Sequence, residues 1–368
     1  MGCAGLSLAV RMIRSGKLAG KKMLLVDREE KNSNDRTWCF WEKEPGLFEE
    51  IVYKKWSRLI FRNDGFEKTM DISPWEYKMI RGIDFYSFAR QIIEDEPGVE
   101  TAFGHVSEFV NHEQSAGIIL DGQTIMANYV FNSIQLQKPV LKEKEHFLLQ
   151  HFKGWIIRTN RPFFDSSAAT LMDFNTSQEH GTAFVYVMPL SENRALVEYT
   201  LFTPSLLREE EYHKGLQSYI HQNLGIPEYA IEEEEFGVIP MTNHRFKLKE
   251  GRIIHMGTAG GNTKASTGYT FSFIQKFTQQ LTDRIHDEKM LSVNETGARY
   301  RFYDSVMLNV LSTGKAEGKN LFTAMFKRNS ASSILHFLNN DGHLFNDVRI
   351  ISSLPVTPFF KAAIEQIF

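Results

Sequence analysis

Three stretches of this chain carry residues of the right type and spacing to do chemistry. In "ALVEYTLF" a single carboxyl, Glu198, stands in an apolar run, and strand alternation places Leu196, Glu198 and Thr200 on one face. Such a residue reads in two ways: as a salt-bridged or edge-exposed carboxylate, or as a buried acid that desolvation keeps protonated. Asp173 in "LMDF" stands in a similar setting and divides evenly between a buried structural carboxylate and a second acid or cofactor-side partner. The other two stretches are glycine turns. Gly2 and Gly5 precede Leu6, Leu8, Ala9, Val10 and Ile13, whose spacing predicts a helix from about Ala4. "KKMLLVD" then reads as a buried parallel strand with Asp27 at its carboxyl end, 22 residues after Gly5. Glycines that let a helix N-terminus approach a pyrophosphate, followed by an acid for the ribose hydroxyls, make a dinucleotide site. The second turn, "MGTAGGNTKASTGYTF", runs from a strand at Ile253 to Met256 into an amphipathic helix from about Thr270, and points another helix N-terminus at an anion or a polar ring edge.

The elements that must position these residues can be read around them. The full fingerprint is GxGxxG after a strand, and only its second and third glycines stand here, so a further strand and glycine are expected upstream. "NSNDRTWCFWEKEPG" reads as a loop whose Trp38, Phe40 and Trp41 would be costly on a surface and are expected to line a pocket or pack beneath it. Hairpins are predicted around Asn63-Asp64-Gly65, Asp121-Gly122 and Ser191-Glu192-Asn193. The acidic "IEEEEFG" reads as a solvated surface, and the chain beyond 290 as helical and rich in Phe and Leu. Residues 1–145 and 237–290 are expected to form a dinucleotide-binding domain, 146–236 a sheet roofing a pocket, and 291–368 a helical region. Asp35 and Arg36 are expected to hold a loop, and Tyr77, Arg81 and Asp84 read either as cofactor-side groups or, more simply, as an ion pair and a core aromatic.

Composition narrows the function. The 368 residues are 42% hydrophobic and 24% charged, with a net charge of -3, so no basic field attracts nucleic acid. Two cysteines, Cys3 and Cys39, fit a reducing compartment. The apolar "AGLSLAV" is a poor signal peptide, because its basic residues follow it. No run approaches the roughly 18–20 apolar residues of a spanning helix, so any membrane contact is expected to be peripheral. His151, His244 and His255 lack metal-ligand spacing, the cysteines are not paired as CxxC, and no metal is predicted. The 29 Phe, 12 Tyr and 5 Trp suit a large apolar ligand.

The strings "DRTWCFW", "MDFNTSQEHGTAFVYVMPLSENRALVEYTLF", "GVIPMT", "GTAGGNTKASTGYTF", "FKRNS" and "PVTPFFKAA" resemble the lycopene cyclase family of bacterial carotenoid pathways over nearly the whole chain. The resemblance implies an α/β fold: a Rossmann-type, flavoprotein monooxygenase-like FAD domain with an antiparallel sheet and C-terminal helices. It implies redox-neutral closure of β-ionone rings on lycopene to γ- and β-carotene. It assigns Gly2, Ala4, Gly5 and Asp27 to the FAD pyrophosphate and ribose, Gly257, Gly260, Gly261, Thr267 and Gly268 to a second flavin-contacting turn, and Glu198 to the acid. Polyene cyclisation needs a proton for a terminal alkene carbon, an apolar wall and electron-rich groups near the cation. Trp38, Phe40, Trp41, Phe184 and Tyr186 could supply cation-π contacts of about 2 kcal/mol each when desolvated. Reduced FAD, supplied with electrons by NAD(P)H, could stabilise the cation electrostatically. The expected partners are lycopene and a membrane surface, at the cytoplasmic face. The competing readings are an FAD-dependent monooxygenase or reductase of an isoprenoid, and a non-catalytic binder of apolar ligands.

Overall fold

A computed structural model describes residues 1–285 and 296–368. Its first helix, Cys3–Arg14, begins where the glycines and apolar spacing place it, and buries Leu6, Leu8, Ala9 and Val10. That face packs against the helices Gly82–Glu94 and Phe271–Arg284, in a core shared with Phe85, Phe271 and Leu281. Arg11 fastens the first helix to the last of these, donating to Thr278 Oγ1 at 3.2 Å and Gln275 Oε1 at 3.1 Å. Beside the helices lie two parallel pairs: Met23–Asp27 with Val99–Phe103, and Val130–Asn132 with Ile253–His255.

The second body is a seven-stranded sheet in the order 230–242, 147–158, 194–203, 182–191, 168–173, 58–63, 66–71. All its neighbours are antiparallel except 168–173 with 58–63. The two faces have different covers. Leu196, Tyr186, Phe184 and Phe202 point to a core shared with Trp41, Tyr77 and the C-terminal helices, where Phe326 stacks on Phe61 at 4.4 Å. Val185, Val197, Tyr199 and Leu201 point the other way, under Tyr212 and Leu216 of the helix Glu209–Ser218 and Tyr219 of the turn that continues it. Five helices, from Ala298–Ser312 to Val356–Ile367, close the chain.

The predicted hairpins are all present, including the one turning at 191–193. Two readings are corrected. The segment taken as an aromatic loop contains a strand, Thr37–Glu42, paired with Glu76–Arg81. The acidic run is not merely a solvated surface but part of the edge strand Ala230–Thr242. The sheet also crosses the expected boundaries, since it takes in 58–71 and runs on to Thr242. The boundary expected at 290 lies outside the described residues.

Candidate active site

Register brings the chemistry together. Gly154 pairs with Glu198 on one side and with Glu235 on the other, and Glu198 pairs onward with Tyr186. One row across four strands therefore reads Glu235, Gly154, Glu198, Tyr186. The glycine leaves open the space between the carboxyls: a Cβ at 154 would stand 2.9 Å from Glu235 Cγ and 3.0 Å from Leu196 Cδ1. Glu198 is buried, and its Oε1 accepts from Thr200 Oγ1 at 2.8 Å. Glu235 is also buried, and its Oε2 accepts from Thr37 Oγ1 at 2.7 Å. Burial, then the charge of Glu235, pushes the Glu198 carboxyl well above the ordinary range. Burial raises Glu235 as well, while bonds from Thr37 and Glu198 favour its ionised form. The two carboxyls face each other across Gly154 and their titrations are linked, with burial and the charge of Glu235 both favouring the protonated form of Glu198.

The strand Thr37–Glu42 faces this row. Alternation divides it into two sides. Thr37, Cys39 and Trp41 look toward the acid: Thr37 bonds Glu235, Cys39 Sγ lies 3.2 Å from Met188 Sδ, and the Trp41 ring meets Tyr269 edge-on at 4.8 Å. Trp38 and Phe40 look away, against Phe85 at 4.9 Å and Phe271 at 4.4 Å. Of the five aromatics expected to wall the substrate, Trp41, Phe184 and Tyr186 thus share the acid's face, whereas Trp38 and Phe40 belong to the core of the other body. Tyr77 and Tyr269 join the acid's face, and burial holds their phenols protonated.

Asp173 lies on the opposite face. It pairs with Val185, its Oδ2 accepts from Tyr219 OH at 2.7 Å, and its Oδ1 accepts from the Asn175 backbone at 2.9 Å. This is the structural alternative, not a second acid near Glu198. Asp35 accepts from Tyr86 OH at 2.8 Å and the Arg36 carbonyl accepts from Gly82 at 2.7 Å, so both residues hold their loop. Arg81 pairs with Asp84 at 2.6 Å.

The two glycine turns meet. The helix starting at Cys3 has no side-chain cap and no acid in its first turn, which leaves its N–H groups to a ligand, and a Cβ at Gly2 or Gly5 would meet open space. Gly257, at φ +61°, comes so near that a Cβ there would stand 3.2 Å from the Ala4 methyl. Gly260 sits where a Cβ would be 2.4 Å from the His255 carbonyl, and Gly261 is left-handed. Gly268, at φ +74°, lies against the Gln150 amide. Asp27 closes its strand, paired with the N-terminal ammonium and accepting from the Arg28 backbone at 2.7 Å. Burial raises its pKa, but the ammonium bond and charge outweigh that and hold it low. The second turn is stapled from behind by buried Lys264, which donates to Asp304 at 2.7 Å and Asn340 at 2.8 Å. A cavity of about 430 Å³ opens beside the turn, lined by Gly260, Gly261, Asn262 and Thr263 with His244 and Phe246; Glu198 does not line it.

Thr267 Oγ1, Gln150 Oε1 and Trp41 Nε1 are buried without a hydrogen-bond partner. Buried polar atoms are nearly always paired, so three orphans between the second turn and the acid's face suit a polar ring system lying there. The donor set fits a flavin dinucleotide: uncapped helix N–H groups for phosphate, and orphaned amide, hydroxyl and indole groups for a ring edge.

A family profile described as lycopene cyclase protein matches residues 1–364. The chain belongs to this family. Among curated relatives of this cyclase family member, the chloroplastic lycopene beta cyclase of Nicotiana tabacum is 27% identical over 176 residues, 44% of this chain and 35% of that protein. The Narcissus pseudonarcissus lycopene beta cyclase is 28% identical over 172 residues, 43% of this chain and 34% of that one. The match thus spans about a third of these relatives' length. Among solved structures, Klebsiella pneumoniae HpxO complexed with FAD and uric acid superposes at a TM-score of 0.60 with 13% identity, over 96% of this chain and 96% of that one. A flavoprotein/dehydrogenase from Cytophaga hutchinsonii gives 0.65 with 14% identity, over 100% and 97%. A geranylgeranyl bacteriochlorophyll reductase-like protein from Thermoplasma acidophilum gives 0.56 with 11%, over 98% and 93%. The fold of this lycopene cyclase family member is therefore that of the FAD-binding flavoproteins.

Sequence reasoning missed Glu235, Gly154, Thr37, Gln150 and Tyr269. The signals were a glycine inside the apolar strand "HFKGWIIR" and a fourth acid followed by Phe, both meaningful only once register is known.

Proposed function

We propose that this chain closes the linear ends of lycopene into β-ionone rings, to γ- and β-carotene, as an intramolecular lyase or isomerase with no net redox change. The observation that carries the reading is Glu198, a buried carboxyl on an aromatic face, paired across from Tyr186 and kept protonated by its surroundings. A hydrocarbon offers no polar handle, so selectivity must come from shape and from one placed proton. Glu198 gives its proton to the terminal alkene carbon, the O–H pair staying on the carboxylate and the alkene π pair forming the new C–H bond. A second π pair closes the ring. A ring C–H bond then breaks, its electrons forming the final alkene, and the proton returns to the carboxylate. Atoms and electrons balance without oxidant or reductant. Trp41, Phe184 and Tyr186 line the apolar face and hold water away from the cation.

FAD would be held by the N–H groups after Gly2, by Asp27 and by the 257–268 turn, and in its reduced form would supply an electron-rich surface to a developing cation. NAD(P)H is the proposed reductant. Lycopene dissolves in membranes, and we assign the chain to the membrane surface at its cytoplasmic face. Val356, Phe360 and Ile367 project from the last helix, and Phe345 and Val348 from the one before, all more than half exposed. No described helix is long and apolar enough to cross a membrane. Interfacial burial of that apolar face would bring substrate to the protein.

The test supplies lycopene in liposomes with reduced flavin, anaerobically, in D2O. Cyclisation yields products that gain one deuterium per ring and are otherwise isomers of lycopene. Gain of oxygen or of two hydrogens would move the chain to the isoprenoid oxygenases or reductases, and flavin binding with unchanged lycopene to the apolar-ligand binders.

A further inference from the structure

We propose that Glu235 is the positioning residue of a proton-holding pair, set opposite Glu198 across Gly154, whose negative charge keeps the proton on Glu198 and draws it back once the ring has closed. The inference rests on the reading of Glu198 as the acid.

The acidic run itself singles Glu235 out. Glu232 pairs with Arg158 and with Arg194 at 2.6 Å, Glu233 with Arg194 at 3.1 Å, and Glu234 with Lys153 at 2.6 Å. Those three are the surface ion pairs a charge run usually makes. Glu235 alone turns inward, and among the described residues it has no cation within 4 Å. A buried carboxyl without a cation is costly unless another group shares its charge. The Thr37 hydroxyl occupies Oε2, and Oε1 has no formed hydrogen bond of its own. Across Gly154 its row continues to Glu198.

Gly154 makes that meeting possible. The two glutamate backbones lie two strands apart, about 10 Å. Only side chains leaning over the strand between them can interact, and any side chain at 154 would stand in the way. A glycine in the middle of a twelve-residue strand weakens that strand, so it signals a close approach. Thr37 ties the pair to the strand that carries Trp41, and so to the substrate face. The other titratable groups facing the pair are Arg36 and Glu233 beside Glu235, and Cys39, Tyr77, Tyr186 and Tyr269 beside Glu198. Burial keeps the thiol and the three phenols neutral, so the pair's charge is set by its two carboxyls and tuned by Arg36 and Glu233.

The test compares the full chain with Glu235→Gln, Glu235→Asp and Gly154→Ala, by two readouts. One is the pH profile of cyclisation. The other, independent of turnover, is the infrared band of a protonated carboxyl, assigned to Glu198 by its loss in Glu198→Gln. The pair predicts that Glu235→Gln removes the charge that holds Glu198's proton. Its alkaline limb and its band then both titrate at lower pH, and turnover falls at least tenfold. Gly154→Ala, which pushes Glu235 aside without changing a titratable group, shifts both in the same direction, and Glu235→Asp restores part of the shift. A limb and band unmoved in Glu235→Gln and Gly154→Ala overturn the pair, even if turnover falls. The two readings fail separately. A band that moves in a chain forming no cyclic product keeps the pair and rejects lycopene cyclisation; cyclisation with an unmoved band does the reverse.

Discussion

The central sheet carries buried titratable groups on both faces, and the two faces treat them differently. On the rear face Asp173 and His151 are both answered, although Trp155 Nε1 and His213 Nε2 there are not. Asp173 has Tyr219 and the Asn175 backbone, and His151 sits between Tyr212 OH at 2.5 Å and Thr203 Oγ1 at 2.6 Å. On the front face Glu198 has Thr200 and another acid, while Gln150 Oε1 and Thr267 Oγ1 have nothing. Both faces are equally dry, so burial alone does not make an active carboxyl. The partner set does. A carboxyl given two donors is held in place by them, and one given an acid and aromatic walls keeps a proton to give.

Substitution at equivalent depth on the two faces breaks this comparison in opposite ways. Glu198→Gln keeps shape and cannot donate, so cyclisation should fall by about 10²–10⁴-fold, the usual worth of a placed general acid, with flavin absorbance and the unfolding transition retained. Residual ring formation near the parent rate would reject Glu198 as the acid. Asp173→Ala should do the reverse: a loss of about 1–3 kcal/mol in denaturant unfolding, from the stranded Tyr219 hydroxyl and Asn175 amide, with turnover per folded molecule unchanged. A turnover collapse in that variant would place a second acid at 173 after all.

The orphaned atoms sharpen the same contrast at smaller scale. Thr203→Val removes a hydroxyl bonded to His151 and to the Ser205 carbonyl at 2.5 Å, and should cost about 1–3 kcal/mol. Thr267→Val removes a hydroxyl with no partner, so without flavin it should change stability by less than about 0.5 kcal/mol, while weakening flavin retention. Equal costs at the two positions would mean that the front-face hydroxyl is not reserved for a ligand.

How much of this was legible depended on whether it lay within one strand or between strands. The first helix, Asp27 at a strand end, the hairpin bearing Glu198 and the helix after the second turn all follow from local periodicity and glycines. Asp173 was split between two roles because its strand does not show which face it takes, and register places it with Tyr219, away from Glu198. Glu235 was hidden because four consecutive acids look alike until pairing turns one of them inward. Trp38, Phe40 and Trp41 were grouped because the segment was read as a loop; as a strand, alternation alone sends Trp41 to the acid and the other two away. What the sequence withheld was register, which is long-range information.

The smallest effect is a pH slope whose sign differs between the faces. Burial pushes His151 down to about 4 from 6.5, so between those values the unfolded chain binds a proton that the folded chain refuses. Stability from the rear face is therefore complete above pH 6.5 and declines as pH falls toward 4. Glu198 is raised above its ordinary 4.5, so there the folded chain keeps a proton the unfolded chain has lost. Its contribution is complete below 4.5 and declines as pH rises toward the folded value. Between pH 4.5 and 6.5 the two slopes oppose each other, so over that range the denaturant midpoint should fall with rising pH in His151→Asn and climb with it in Glu198→Gln. Because the unmutated chain combines both, its midpoint should be level across that range, and a variant that tilted it the opposite way would show that the two groups had been assigned the wrong charge in the folded protein.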